Sequence, residues 1–345
     1  MAADGEETKP TKEPKYSKFT QQELPACKPL LTPKWVIAIF LVVGLVFIPI
    51  GAVCLAASVS VIEVSQRYDD VCAQGATSAD KEASLMQLAG AGSFCNVTLS
   101  VPKQMKAPVF VYYELDNFYQ NHRRYVKSRS DQQLRGEEAA SSSLKDCEPE
   151  LYVGGDRDKM INPCGLIAWS YFNDTFALAV TETGSSSVAL PVNETGIAWA
   201  TDISKKFGPY NTSNFNSDPA FRGGGAILGP VQDDEHFIVW MRTAALPNFR
   251  KLWGRITQTI PAGSTITVTV NNRYNTYRFD GKKKIVLSTT SWLGGKNTFL
   301  GIAYLTVGSV SLAFSVLFFV LQWRHPRKLG DVSYLSWNAK ANAAS

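Results

Sequence analysis

The sequence contains few of the side chains that catalytic and metal sites most often use. Its 345 residues include only three histidines and six cysteines. No histidine has a second histidine or a cysteine at the spacing of a zinc site, and the GxSxG motif of serine hydrolases does not occur. We therefore expect no catalytic residue, no metal site and no cofactor, and we interpret the chain as a protein that is not itself an enzyme.

Charge is also sparse, and it is missing from two long stretches. The net charge of +5 is small for 345 residues and spread along the chain, so it gives no argument for nucleic acid as a partner. Residues 35–62 and 297–323 contain no charged side chain. As a helix the first stretch would extend about 42 Å, more than the roughly 30 Å of a hydrocarbon core.

Both stretches are therefore predicted to be transmembrane helices, because a helix satisfies its own backbone in lipid. Neither contains an ionisable residue, so we expect no ion or proton path through this chain alone. The first run follows a 34-residue polar head and is too long for the apolar core of a cleavable signal peptide. The predicted organisation is a cytosolic tail, a span, a lumenal or extracellular domain, a second span and a second cytosolic tail, at 1–34, 35–62, 63–296, 297–323 and 324–345.

Basic residues and sequons predict the orientation. Positive charge clusters on the tail side of both spans, at Lys28, Lys34, Arg324, Arg327 and Lys328, as expected for cytosolic flanks. The run 282–284 of three lysines argues mildly against this orientation. Four Asn-X-Ser/Thr sequons all lie in the middle domain, which favours a lumenal or extracellular location. The candidate glycosylation sites are Asn96, Asn173, Asn193 and Asn211.

The cysteines agree with an oxidising compartment. The middle domain contains an even number of them, Cys72, Cys95, Cys147 and Cys164, as disulfide-bonded domains usually do. Four cysteines allow three pairings, and the sequence alone does not choose among them. We favour the bonds between sequence neighbours because each would close one loop, and each is worth about 3 kcal/mol in the chain-entropy model.

The middle domain is predicted to be mainly β. Runs of β-branched and aromatic residues indicate strands, at 109–115, 237–243, 265–270 and 282–292. Helical periodicity is confined to 80–88 and 118–128. The segments between them are rich in Gly, Pro, Asn and Ser, so the predicted fold is an antiparallel β-sandwich with long loops between two membrane helices.

Two basic groups are candidate partner-binding sites. The first lies in 121–129 and includes Arg123 and Arg124; it fits an acidic protein surface, lipid head groups or simply a solvated charged face. The second combines arginines and a lysine with aromatic rings, a composition typical of interface cores. Its members are Arg242, Arg250, Lys251, Arg255, Trp240, Phe249 and Trp253.

Two further features suggest contacts with a partner. The segment 16–25, which includes Phe19, adds aromatic residues to an otherwise polar head. It would dock on a cytosolic partner or anchor at the membrane interface. Small residues recur every seven positions in each span and allow close helix packing, either with a partner or between the two spans. They are Gly44, Gly51 and Ser58 in the first span and Gly301, Gly308 and Ser315 in the second.

A series of segments between residues 19 and 308 resembles a known family. Among them are FTQQELPACKPLLTPKWVI, NFYQNHRRYVKSRSDQQL, NPCGLIAWSYFNDTF, FIVWMRTAALPNFRKLWG and VLSTTSWLGGKNTFLGIAYLTVG. In these segments the chain resembles the cell division control protein 50 family, the accessory β subunits of type-IV P-type ATPases that flip phospholipids. Its head and its ending LGDVSYLSWN are most similar to the plant members, called ALA-interacting subunits.

The resemblance implies a role and a set of contacts. It implies a glycosylated, disulfide-bonded exoplasmic domain that covers the outer loops of the ATPase, spans that pack on its membrane helices, and an N-terminal tail that touches its cytosolic domains. It also implies two sequential disulfides and a glycan on Asn173 in the FNDTF motif. Members are needed for the catalytic subunit to leave the endoplasmic reticulum and to transport lipid, so we expect a heterodimer in endoplasmic reticulum, Golgi, endosomal or plasma membranes. The alternative is a free-standing cell-surface receptor or adhesion glycoprotein.

Overall fold

The computed structural model describes residues 16–25, 31–88, 91–182, 184–212 and 223–326. The helices are α1 (Pro33–Ser60), α2 (Asp69–Cys72), α3 (Ser78–Gln87), α4 (Arg123–Lys127), α5 (Asp131–Leu134), α6 (Leu166–Trp169), α7 (Ala200–Lys206), α8 (Glu235–Met241) and α9 (Phe299–Arg324). The strands are β1 (Glu63–Arg67), β2 (Ser93–Ser100), β3 (Val109–Asp116), β4 (Thr175–Thr181), β5 (Val188–Leu190), β6 (Phe249–Ile256), β7 (Thr265–Asn272) and β8 (Lys282–Ser288). Short 3₁₀ turns lie between them.

The chain divides into two compact units, one formed by residues before 52 and after 302, and the other by 52–302. The first unit contains most of α1 and α9, and both helices are long and apolar enough to cross a membrane. Aromatic rings meet between them: Phe40 lies 5.8 Å from Phe314, and Phe47 lies 5.2 Å from Tyr304, centroid to centroid. The two predicted spans are confirmed, with α1 beginning two residues earlier than expected.

The second unit, called here the ectodomain unit, is built on two antiparallel sheets of four strands. Their strand orders are β1-β8-β3-β6 and β2-β7-β4-β5. Side chains alternate across each sheet because successive residues of a strand point to opposite faces. On β2, Val97 and Leu99 are buried while Asn96 and Thr98 are exposed. The buried faces form one core, which confirms the mainly-β prediction.

The sequence identifies some of these elements correctly. The predicted strands 109–115 and 265–270 correspond to β3 and β7, and the strand predicted from residue 282 ends at Ser288 as β8. The predicted helix 80–88 is α3, whose first turn carries a capping box: Thr77 Oγ1 accepts from Asp80 N, and the Asp80 carboxylate accepts from Thr77 N. In 118–128 only Arg123–Lys127 is helical.

The strand predicted at 237–243 is wrong, because Glu235–Met241 forms the helix α8. The Asp234 carboxylate accepts the backbone N–H of Phe237 at 2.9 Å and caps the first turn, as N-cap residues do. The indole N–H of Trp240 donates to the carbonyl of Ile167 at 2.8 Å. The aromatic and branched side chains of this segment reflect its burial, and the cap and the tertiary contacts select a helix over a strand.

A buried ion pair links the two sheets. Lys283 on β8 is fully buried, and its ammonium donates to Asp174 Oδ2 and to the Tyr274 carbonyl at 2.7 and 2.6 Å. It also donates to Asn272 Oδ1 at the end of β7. The second oxygen of Asp174 accepts two backbone N–H groups, and Tyr68 OH donates to the first at 2.7 Å. Every charge in this cluster therefore has partners, which is the condition for burying an ion pair.

Two disulfides close short loops of the ectodomain unit. Cys72 in α2 is bonded to Cys95 on β2, and Cys147 is bonded to Cys164. These are the pairings between sequence neighbours. Cys54, in α1, is free and buried, and Cys27 lies outside the described residues.

Candidate partner-binding surfaces and a groove beside Asn173

The small residues of the first unit face the other span of the same chain. A Cβ added to Gly44 would lie 2.5 Å from Leu312 Cγ, and one added to Gly308 would lie 2.8 Å from Ile48 Cγ1. At distances this short a neighbouring group would have to shift, so glycine at both positions permits the close approach of the two helices. Gly51 is buried as well.

The ends of the two spans that belong to the ectodomain unit also pack closely against each other. A Cβ on Gly301 would lie 2.8 Å from the backbone of Leu55, and the Ser58 hydroxyl accepts the backbone N–H of Asn297 at 2.9 Å. The hypothesis that these glycines contact a partner helix is therefore wrong in this structure, since their faces are used by the chain's own helix pair. The outward residues of both helices, such as Val42, Leu45 and Val316, are exposed instead.

The arginines of the second basic group have their partners within the ectodomain unit. β6 alternates, so Phe249, Lys251 and Trp253 point inward and Arg250 points outward. Arg250 lies 2.8 Å from Glu63 and 3.2 Å from Glu114. Its charge is thus paired within the ectodomain unit.

Arg242 and Arg255, which precede and follow Arg250 in the sequence, also have partners within the ectodomain unit. Arg242 pairs with Asp202 and stacks on Trp199, with its guanidinium 4.3 Å from the ring centroid. Arg255 donates to the carbonyls of Thr195 and Gly196.

The aromatic rings of this group belong to the core. Trp240 is 0 % exposed and Trp253 is 6 % exposed. A partner cannot reach Trp240, and the interpretation of these rings as an exposed interface is corrected. The interface-like composition arises because an amphipathic strand and a buried helix lie next to each other in this part of the sequence.

Lys251 is a buried cation without a carboxylate partner among the described residues. Its ammonium donates to the carbonyls of Val239, Trp240 and Arg242, the first two at 3.2 and 3.1 Å. These carbonyls end α8, where the helix dipole is negative. Burial, with a smaller contribution from the Arg242 charge, lowers the pKa of Lys251 to about 7.

In the first basic group Arg129 pairs with Asp131 at 3.1 Å, but the three cations of α4 have no such partner among the described residues. Arg123, Arg124 and Lys127 are exposed on α4, and within the described ranges no carboxylate lies at ion-pair distance from any of them. The helix is anchored from its inner side by Tyr125, whose OH lies 2.7 Å from Ser170 Oγ. We call Arg123, Arg124 and Lys127 the α4 basic face.

Phe19 is 76 % exposed in a short turn. The turn is closed by local bonds such as Gln21 N to Ser17 O at 3.0 Å. Its contact with a partner stays a prediction.

The four sequons differ in their surroundings. Asn96 lies on the outer face of β2 and accepts a hydrogen bond from Thr269 Oγ1 at 2.8 Å. Asn193 is exposed and accepts from the backbone and side chain of Thr195. Asn211 is exposed too, and the third residue of its sequon lies outside the described residues. Only Asn173 is half-buried.

Asn173 forms part of the wall of a groove of about 1130 Å³ in the ectodomain unit. The other residues that matter below are Tyr171, Phe176, Glu194, His236 and Trp253. A run of three glycines, 223–225, lies against the same wall: a Cβ on Gly224 would lie 2.0 Å from the Tyr171 carbonyl. The glycine run was visible in the sequence, but the residue against which it packs was not.

Three polar atoms around this groove have no hydrogen-bond partner among the described residues. They are Asn173 Oδ1, His236 Nδ1 and Trp253 Nε1. The His236 ring stacks on Trp253 with centroids 4.0 Å apart, and its Nε2 lies 2.9 Å from Glu194 Oε2. Sequence analysis found Asn173 and Trp253 for other reasons and missed His236 and Glu194.

The acidic triplet 233–235 is largely structural. Asp234 accepts from the Tyr171 hydroxyl at 2.9 Å in addition to capping α8. Glu235 accepts the backbone N–H groups of Gly196 and Ala198. These carboxylates fix the loops at the rim of the groove.

Comparison with known proteins gives a consistent picture. A family model described as LEM3 (ligand-effect modulator 3) family / CDC50 family matches residues 54–328. ALA-interacting subunit 3 of Arabidopsis thaliana is 54 % identical over 96 % of this chain and 92 % of its own length. Cell cycle control protein 50A of Bos taurus is 38 % identical over 94 % of both chains, and cell cycle control protein 50B of Homo sapiens is 36 % identical over 91 % of this chain and 94 % of its own.

Proposed function

This chain belongs to the LEM3/CDC50 family, and on that premise we propose that it is the non-catalytic accessory (β) subunit of a type-IV P-type ATPase that flips phospholipids. In this role it forms a heterodimer with the catalytic subunit and is required for that subunit's folding, its exit from the endoplasmic reticulum and its transport of phospholipid to the cytosolic leaflet. The observation that carries the proposal is the nearly full-length similarity to relatives named for interacting with ALA proteins.

We propose the topology that the charge pattern predicts. Both tails are cytosolic, and the ectodomain unit lies in the lumen of the endoplasmic reticulum and Golgi or endosomal system, or outside the cell. Glycans are proposed on Asn173, Asn96, Asn193 and Asn211. The disulfides Cys72–Cys95 and Cys147–Cys164 support this side assignment because such bonds persist in oxidising compartments.

The α4 basic face is the proposed exoplasmic contact with the ATPase. Its three cations are exposed without carboxylate partners in the described ranges, whereas Arg242 and Arg250 are already paired. A free cationic surface favours an acidic partner and increases the rate of association. The segment around Phe19 is the proposed cytosolic contact, and the outward faces of α1 and α9 are the proposed contacts with membrane helices and lipid.

The accessory subunit is proposed to regulate as well as to stabilise its partner. A bound protein shifts a conformational cycle only by the difference in its affinity for the states of that cycle. If this chain bound every phosphorylation state of the ATPase with equal affinity, the proposed regulatory role would be contradicted. The proposed stabilising role would remain.

The decisive experiment is affinity purification of the tagged full-length protein from its own membranes in mild detergent. We expect a stoichiometric type-IV P-type ATPase by mass spectrometry and reduced uptake of a fluorescent phospholipid in cells that lack the protein. A mature glycoprotein that purifies alone, with normal lipid uptake in its absence, would overturn the proposal and support the free-standing receptor.

Charge reversal tests the α4 basic face within the same assay. Arg123→Glu with Arg124→Glu is expected to reduce the recovered ATPase about tenfold, since like charges facing each other in an interface are repulsive. The matched control is Lys103→Glu with Lys106→Glu, two exposed lysines elsewhere on the ectodomain unit. Equal recovery for both pairs would exclude the α4 basic face as the contact.

A further inference from the structure

The turn between β8 and α9 has an exposed tryptophan at its tip. Ser291 and Gly294 close a two-residue hairpin turn: Ser291 N donates to Gly294 O at 2.8 Å, and Gly294 N donates to Ser291 O at 2.9 Å. The tip residues are Trp292 and Leu293. Turns that face water are dominated by Gly, Pro, Asn, Asp and Ser, yet Trp292 is 73 % exposed. Most of its surface therefore has no protein contact in the described part of the chain.

Further hydrogen bonds fix the backbone of this turn. The Ser291 hydroxyl accepts the backbone N–H of Leu293 at 3.3 Å and donates to the carbonyl of Gly294 at 3.2 Å. Both residues that close the turn are thus bonded to each other through backbone and side chain. The exposed position of Trp292 is therefore built into the fold.

Both ends of the loop that contains this turn are bonded to the end of the first span. The Thr289 backbone N–H donates to the Ile62 carbonyl at 3.0 Å, and the Ile62 N–H donates to Thr289 Oγ1 at 2.9 Å. After the turn, the Asn297 N–H donates to Ser58 Oγ at 2.9 Å. Three residues extend at most about 11 Å, so the Cα of Trp292 lies within that distance of Thr289 and hence beside the end of α1.

The end of α1 reaches the headgroup layer of a bilayer. Its 28 residues extend about 42 Å, which is close to the roughly 40–45 Å thickness of a bilayer with its headgroups. When the apolar stretch is centred in the hydrocarbon, residues 58–62 therefore lie at the polar boundary. The turn that is bonded to these residues lies at the same boundary.

The spans themselves have tryptophan at only one end of the helix pair. Trp35 lies at the start of α1 and Trp323 at the end of α9, and both are exposed. Residues 48–60 of α1 contain no aromatic side chain, and α9 begins with Phe299. Trp and Tyr are enriched at both interfaces of a membrane because they combine an apolar ring with a polar group. At the ectodomain end, the turn is the element that supplies this residue.

We propose that the turn 291–294 inserts Trp292 into the boundary between headgroups and acyl chains, on the side of the membrane where the ectodomain unit lies. The ring packs on the first methylene groups of the lipid, and its N–H donates to an ester or phosphate oxygen. Lys296 is exposed, with no carboxylate at ion-pair distance in the described ranges, and its ammonium lies near the lipid phosphates. The partner of this surface is thus a phospholipid layer. This inference goes beyond the proposed role as an ATPase subunit and depends only on the two spans.

The first test places the photoreactive aromatic residue p-benzoylphenylalanine at position 292 of the full-length chain. Native membranes are irradiated, and the purified protein is analysed by mass spectrometry. We expect phospholipid adducts at position 292 to exceed those at a reference position by about tenfold or more, because lipid is within reach only of a residue at the interface. An adduct with the catalytic subunit in place of lipid would overturn the anchor and leave the proposed heterodimer intact.

The reference position is Phe94, an aromatic residue on β2 with nearly the same exposure, 71 %. Its neighbour Cys95 is bonded to Cys72, which follows β1 in the chain. Strand β1 begins beside Ile62 and extends about 17 Å over its five residues, so Cys72 lies beyond the strand end that is remote from the membrane. Equal lipid adducts at positions 94 and 292 would contradict the proposal.

The second test measures tryptophan emission in nanodiscs that contain brominated phospholipids, with the full-length protein and the partners that it retains. Bromine quenches the rings that it touches. Trp292→Phe should lower the quenched fraction of the emission, since a ring in contact with lipid is removed. Trp253→Phe, at a buried ring, is the matched control and should raise that fraction. An unchanged or higher fraction in Trp292→Phe would overturn the proposal.

The position of the bromine tests the depth of the ring. The fall in Trp292→Phe should be larger when bromine lies near the headgroup end of the acyl chain than when it lies near the methyl end. The reverse order would place the ring in the hydrocarbon and contradict an interfacial anchor.

The unfolding temperature in detergent separates lipid contact from a fold defect. Trp292→Phe should unfold within about 2 °C of the wild type, because substitutions at exposed positions change stability little. A larger loss would show that the ring packs on the protein, and the proposal would fail even if the ATPase still co-purifies.

Discussion

The ectodomain unit buries two lysines, and it stabilises them in different ways. Lys283 on β8 is 0 % exposed and meets a carboxylate, whereas Lys251 on β6 is 7 % exposed and meets only backbone carbonyls at the end of α8. Two rings lie near the Lys251 ammonium, with the centroids of Trp240 and Phe249 both 5.5 Å away. A buried cation can thus be stabilised by an opposite charge or by a helix end.

The two arrangements differ in what remains when the lysine is removed. Loss of Lys283 leaves Asp174 charged and enclosed, while loss of Lys251 leaves neutral carbonyls that have lost their donor. Burial lowers the pKa of both lysines, but at Lys283 the Asp174 carboxylate acts against that shift. Four substitutions or conditions test this difference.

The largest effect is expected for Lys283→Ala. We expect the free energy of unfolding to fall by about 3–5 kcal/mol because Asp174 becomes an uncompensated buried charge. That is a large part of the 5–15 kcal/mol typical of a domain, so little mature protein should be recovered from cells. The control is Lys282→Ala at the exposed preceding position; a comparable loss there would mean that the ion pair is not the cause.

A smaller loss is expected for Lys251→Met, which keeps an unbranched side chain of similar length. The carbonyls of Val239 and Trp240 lose a charged donor, and we expect about 1–3 kcal/mol of destabilisation. The measurement is the apparent unfolding temperature in detergent, where about 2–4 °C corresponds to 1 kcal/mol for a domain of this size. A loss as large as that of Lys283→Ala would remove the distinction between the two sites.

The pH dependence of stability sharpens the comparison. The pKa of Lys251 is about 7 in the folded protein, against 10.5 for a free lysine. Between these values the unfolded chain binds a proton at this site that the folded chain does not, so the contribution of Lys251 to stability rises with pH. From pH 7 to pH 8 we expect wild type to gain about 1 kcal/mol relative to Lys251→Met. A constant difference between the two proteins over this range would contradict the low pKa.

The smallest effect is expected for Lys284→Ala, next to Lys283 on the same strand. Its ammonium pairs with Glu114 at 2.8 Å with the side chain 32 % exposed. Glu114 is buried but keeps Arg250 as a partner, and Lys284 is itself partly solvated, so the loss should be about 0.5 kcal/mol. An unfolding temperature lowered by several degrees would show that this partly buried pair stabilises the fold as the fully buried pair does.

The lysine run explains part of what the sequence can and cannot predict. Lys282, Lys283 and Lys284 look like one solvated cluster, yet the alternation of β8 buries the middle one and leaves the others outside. The partner that makes this burial possible, Asp174, is 109 residues away in the chain, and no local pattern indicates it. Strands β3 and β7 could be predicted because each is a continuous run rich in β-branched and aromatic residues.

At the candidate sites, too, local sequence patterns do not indicate contacts between residues far apart in the chain. The hydrophobic spans and the sequons follow from local composition, and so their positions could be read directly. The burial of Trp240 and the helix α8 could not, because a cap at Asp234 and a contact with Ile167 decided them. The groove is lined by residues from several distant segments of the chain, and only its glycine run and its sequon left a local signal.

The ion pair also sets an order of events during biosynthesis. Asp174 is the middle residue of the Asn173 sequon, and its cation is made 109 residues later. At about 5–20 residues per second, the ribosome takes roughly 5–20 s to add that stretch. Until Lys283 emerges, Asp174 has Tyr68 as a partner but lacks its cation, so we expect the sequon to stay accessible to a sugar-transferring enzyme until the buried ion pair forms.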